Sequence, residues 1–184
     1  MGLTRADWIE AALEALATQG LPAVAVEPLA RRLGTTKGSF YWHFSDRSDL
    51  IGATLQHWEQ RDTDDLISRI EEIEDPRARL ASLLRSATGA SASGQDAGVK
   101  LLAVATDPRV APVLDRVTGK RLTFLTRLYR ELGLSEHESV RRGRLAYALY
   151  LGTGDLHQLL PADRSESERA AYLDMAERLL VGNL

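Results

Sequence analysis

Apolar residues recur at every third or fourth position along almost the whole of this chain, and no strand-length stretch alternates with a period of two. That spacing predicts an all-α fold. Trp8, Ile9, Ala12, Leu13, Leu16 and Ala17 form one stripe of a first helix, opened by Thr4 with Asp7 three residues on and closed by Gly20. Leu29, Ala30 and Leu33 mark a short second helix that stops at Gly34. Its start has Ala25 where a capping oxygen is usual, although Pro28 suits a first turn. A third short helix follows Thr35-Thr36 and runs from Lys37 to His43, with Phe40 and Phe44 sharing one face. A fourth begins near Ser45 to Asp49 and turns Leu50, Ile51, Thr54, Leu55 and Trp58 inward.

The remainder continues in the same manner. Asp75-Pro76 opens a helix lined by Leu80, Leu83, Leu84 and Ala87, and the small, polar stretch from Thr88 to Gly98 reads as a loop. Val99 to Thr106 is a short helix. Pro108 or Pro112 opens a longer one that Gly133 closes. Ser135-x-x-Glu138 and Ser165-x-x-Glu168 are capping boxes ahead of the last two helices, which Pro161 separates. The expected total is about nine helices.

Composition removes several function classes. The chain has no cysteine, so disulfides, thiolate metal sites and cysteine nucleophiles are excluded. His57, His137 and His157 have no metal-ligand spacing, and no Gly-rich phosphate loop, serine elbow or carboxylate pair is visible. The expectation is a chain without metal, cofactor or catalytic site. Its polar first ten residues and the lack of any membrane-length apolar run point to the cytoplasm, with no membrane partner.

Net charge is −3, which argues against loose, charge-driven binding to nucleic acid. Between Arg31 and Arg47, however, Arg31, Arg32, Lys37 and Arg47 face a single acid, Asp46. Charge alone allows either a solvated face or a local nucleic-acid patch. The surrounding pattern is more informative. A short helix, a glycine-containing connection and a second short helix form the helix-turn-helix layout, whose second helix presents its first residues to the major groove. Here those residues are Thr36-Lys37-Gly38-Ser39, followed by Tyr41, Trp42 and His43, whose polar tips suit phosphate, sugar or base edges.

The stretch Val26-Glu27-Pro28-Leu29-Ala30, then Leu33-Gly34-Thr35-Thr36-Lys37-Gly38-Ser39-Phe40-Tyr41-Trp42-His43-Phe44 and Arg47-x-x-Leu50-Ile51, resembles the DNA-binding signature of the tetracycline-repressor (TetR) family. The resemblance implies a three-helix DNA-binding head over residues 1–48 and a helical ligand-binding and dimerisation domain over 49–184. It implies that Thr35, Thr36, Lys37, Gly38, Ser39, Tyr41, Trp42 and His43 face DNA and that Arg47 touches a phosphate, while Phe40, Phe44, Leu29, Ala30 and Leu33 are core. It places an effector pocket in the C-terminal part, where Trp58, Leu84, Leu101, Val104, Phe124 and Leu128 are candidate walls or ordinary core. The last two helices, with Leu145, Ala148, Leu149, Gly152, Leu173, Ala176 and Leu180, would form a dimer interface or intrachain core. The implied function is a repressor that binds a pseudo-palindromic operator in double-stranded DNA as a homodimer. A small-molecule effector would release it by swinging the fourth helix. The alternative is a helical interaction or scaffold protein without DNA binding.

Overall fold

A computed structural model describes residues 2–92, 96–159 and 165–182, and among them only helices and turns occur. The helices are α1 (Arg5–Gln19), α2 (Val26–Arg32), α3 (Lys37–Phe40), α4 (Arg47–Glu59), α5 (Asp65–Glu71), α6 (Pro76–Ala92), α7 (Ala97–Leu102), α8 (Ala111–Glu131), α9 (Glu136–Leu159) and α10 (Glu166–Val181). A 3₁₀ turn at Leu21–Ala23 follows α1, and a π turn at Gln60–Asp64 carries α4 into α5 without a break. Counted as one run, α4 to α5 leaves nine helices among the described residues. The break expected at Pro161 lies outside those residues. No helix among them is long and apolar enough to cross a membrane.

The chain divides into two compact units, Met1–Asp62 with Ala97–Arg116, and Thr63–Asp96 with Val117–Leu184. In the first, α1 packs on α4 and α7. Its ends are set as their sequence predicts. The Thr4 backbone N–H donates to the Asp7 carboxylate at 2.6 Å and the Asp7 N–H to Thr4 Oγ1 at 3.3 Å. Gly20 leaves the helix at φ 83°, a backbone angle that suits glycine. Trp8, Leu13, Leu16, Val24, Leu29, Phe40, Phe44, Leu50, Ile51 and Leu55 form the buried interior. Glu59, also buried, accepts from Arg116 Nε at 2.8 and 3.1 Å.

In the second unit α6 packs on α9 and α10. Its core holds Ile70, Leu80, Leu83, Leu84, Phe124, Leu125, Leu128, Tyr129, Ala146, Leu180 and Val181. Gly143 on α9 lets α8 come close: a Cβ there would lie 3.3 Å from Thr126 Oγ1 and 3.4 Å from Leu125 Cβ.

Three boundaries differ from the sequence reading. The α-helical part of α3 ends at Phe40, and 41–43 follow as a tighter turn. Tyr41, Trp42 and His43 donate to Gly38, Ser39 and Phe40 carbonyls at 3.2, 3.3 and 2.9 Å, the i to i+3 pattern that often ends a helix. The segment read as a loop from Thr88 is helical to Ala92, because small residues and one glycine weaken a helix without forbidding it. Helix α7 starts at Ala97 and ends at Leu102, ahead of turns that replace the expected helix up to Thr106.

Candidate nucleic-acid interface

Helix α3 has one buried side chain, Phe40, and that ring seats the whole element. It meets Trp8 edge-on at 5.4 Å, stacks on Phe44 at 5.4 Å, and meets the Tyr41 ring edge-on at 5.2 Å. The Arg5 guanidinium covers Phe44 from outside, 4.7 Å from the ring centre. Thr36 begins α3 by accepting the Ser39 N–H at 3.4 Å. Gly34, at φ 65°, supplies the left-handed turn between α2 and α3.

With Phe40 and Phe44 turned inward, the neighbouring side chains point out. Tyr41 is 57 % exposed and Trp42 88 %. Thr36, Lys37 and Gly38 are exposed, and Thr35, Ser39 and His43 half-buried. The Trp42 indole, almost wholly in water, adds nothing to the core. Lys37 pairs with Glu27 of α2 at 3.2 Å, and that contact raises its pKa, so it stays cationic.

Arg47 is placed differently from the other candidates. Its Nε donates to the Val24 carbonyl at 2.6 Å and its Nη2 to the Leu21 carbonyl at 3.0 Å. Both acceptors belong to the 3₁₀ turn and its exit, so Arg47 ties the start of α4 to the chain between α1 and α2. Arg47→Ala is therefore expected to lower stability by about 1–2 kcal/mol, a modest value because half-buried groups regain water. It should leave the salt dependence of DNA binding unchanged. A flattening of that dependence would make Arg47 a phosphate contact instead.

The remaining candidates separate. Trp58, Leu101 and Val104 lie in the first unit, Leu84, Phe124 and Leu128 in the core of the second. All are buried except half-buried Val104. On α9, Leu145 is 60 % exposed, Ala148 is exposed, and Leu149 and Gly152 are half-buried. On α10, Leu173 is half-buried, while Ala176 and Leu180 turn into their own unit. Among the described residues, the large apolar side chains that α10 leaves in water are Met175 and Leu179, and α9 adds Leu156. The sequence reading missed these three.

The family model described as bacterial regulatory proteins, tetR family, matches residues 9–54, which holds most of α1, all of α2 and α3 and most of α4. Over those residues the chain resembles the TetR family. The chain is also similar to the HTH-type transcriptional regulator TtgR of Pseudomonas putida, 36 % identical over 72 residues. That match covers 39 % of this chain and 33 % of TtgR, so the chain spans about a third of this relative's length. Over nearly the whole chain, likeness to solved structures is one of fold. A TetR transcriptional regulator from Legionella pneumophila superposes with a TM-score of 0.80 at 13 % identity, over 96 % of this chain and 98 % of that one. AibR, solved with isovaleryl coenzyme A and operator DNA, gives 0.70 at 16 % identity, over 95 % and 98 %.

Proposed function

We propose that this chain is a ligand-responsive transcriptional regulator, a repressor that binds a pseudo-palindromic operator as a homodimer and leaves it when a small effector binds. The observation that carries the reading is the outward display of Tyr41 and Trp42 beside Thr36, Lys37 and Ser39, on a helix seated by Phe40 within a TetR-like head. Lys37 supplies charge to the DNA backbone, and the aromatic tips and hydroxyls supply base, sugar and phosphate contacts. Arg47 serves by fixing the head. AibR, which shares the fold, is described with both an acyl coenzyme A and operator DNA, which supports a two-ligand design here.

A dimer is favoured by the apolar side chains that α9 and α10 leave in water: Leu145, Leu156, Met175 and Leu179. A two-fold pair would present its recognition helices to half-sites about 34–36 Å apart, or a multiple of that. An effector that clears the operator almost completely needs about 5.5 kcal/mol of preference for the released state.

The test is a gel shift on DNA flanking the chain's own gene at several salt concentrations. Specific binding that weakens steeply with salt is expected, and Lys37→Ala should flatten the log–log slope by about one unit. Lack of a shift on every flanking fragment would favour a scaffold whose head does not bind DNA.

A further inference from the structure

The inward stripe of α8 carries one residue that its periodicity does not call for. Val117, Phe124, Leu125 and Leu128 are buried on that stripe, and Arg121 stands among them, four residues after Val117 and three before Phe124. A set of hydroxyls surrounds the guanidinium. Arg121 Nε donates to Thr63 Oγ1 at 3.0 Å and Nη1 to the Tyr150 hydroxyl at 3.2 Å, and Tyr150 donates its own proton to Asp96 Oδ1 at 3.0 Å. The guanidinium also lies 5.5 Å from the centre of the Tyr150 ring. That ring stacks on Tyr147 at 5.7 Å, and the Tyr147 hydroxyl lies 3.2 Å from Thr118 Oγ1.

Burial works against the charge on Arg121, and the oxygens of Tyr150, Tyr147 and Asp96 outweigh it, so the group stays protonated. Part of the residue's surface nevertheless remains accessible to solvent. The guanidinium is therefore partly desolvated and still reachable from solvent. Among the described residues, the hydroxyls of Thr63 and Tyr150 lie against it, the Tyr147–Thr118 pair lies beside the Tyr150 ring, and the Asp96 carboxylate lies beyond the Tyr150 hydroxyl. Stability alone does not call for a charge on this stripe, because well-packed apolar residues in place of buried charged groups are often neutral or stabilising.

We propose that Arg121, with Tyr147 and Tyr150, is the recognition point for an effector bearing a carboxylate on an apolar or aromatic body. Arg121 supplies the charge-assisted hydrogen bond, the paired tyrosine rings take the apolar body, and the hydroxyls fix the carboxylate's orientation. The proposal rests on the regulator reading above and adds the chemical class of its effector.

The test uses the full-length protein with benzoate, salicylate and octanoate, each beside its methyl ester, read by thermal shift and calorimetry. At least one carboxylate is expected to raise the melting temperature, and its ester to do so far less. Arg121→Met should weaken that carboxylate by about ten- to a hundredfold and Tyr147→Phe by about three- to tenfold. Tyr147→Phe keeps the test decisive if Arg121→Met does not fold. Equal response to acid and ester, an undiminished response in both variants, or no response from any of the acids would overturn the proposal. A gel shift on the same proteins separates the two readings. DNA binding without any carboxylate response removes the effector class and leaves the regulator, whereas failure to bind DNA removes the regulator whatever the ligands do.

Discussion

Replacing Trp42 by alanine lowers affinity for DNA flanking the gene by about thirty- to a hundredfold, corresponding to about 2–3 kcal/mol. The urea midpoint of the free protein stays where it was. Both halves follow from one fact: the indole is 88 % exposed, so it has almost no contacts to lose in the free molecule. Its large apolar area and its N–H become useful only when a second surface arrives. Quantitative gel shifts and urea titration on the same preparation check the pair of results. A midpoint that falls with the affinity would show that Trp42 is packed, and an unchanged affinity would show that this face does not meet DNA.

Phe40→Ala has the opposite signature. It should cost about 3–5 kcal/mol of stability, the usual range for emptying a buried aromatic site. The ring is fully buried and touches Trp8, Tyr41 and Phe44 together, so no neighbour can easily fill the space. A chain whose total stability is of the ordinary order, about 5–15 kcal/mol, would be left marginal or unfolded. Phe40→Leu should recover most of the loss, because it retains volume and apolarity. Urea unfolding measures both. A loss below about 1 kcal/mol for the alanine variant would mean that α3 is not seated through this ring.

How much of this was legible in the sequence depends on how local the determining contacts are. The caps at Thr4, Thr36, Ser135 and Ser165 act over three residues, and the helices they open begin where the pattern places them. The in-and-out alternation of Phe40, Tyr41, Trp42 and Phe44 is likewise local, and it locates the candidate interface. Arg47 was opaque for the opposite reason. Its acceptors are carbonyls of Leu21 and Val24, and backbone atoms carry no sequence signature. Helix α10 shows a second limit. It is apolar on two faces, so spacing alone could not say that Ala176 and Leu180 turn inward while Met175 and Leu179 face water. The sequence reading passed over Arg121, whose surroundings, Thr63, Tyr150 and Asp96, only folding brings to it.

The distribution of tryptophans makes the molecule its own optical instrument. Of the three, Trp8 and Trp58 are buried and Trp42 stands in water. A dissolved quencher such as iodide therefore reaches essentially one emitter, and that emitter sits on the surface assigned to DNA. Added duplex should shield it, so the fraction of light lost to iodide reports occupancy of the head directly, without a label.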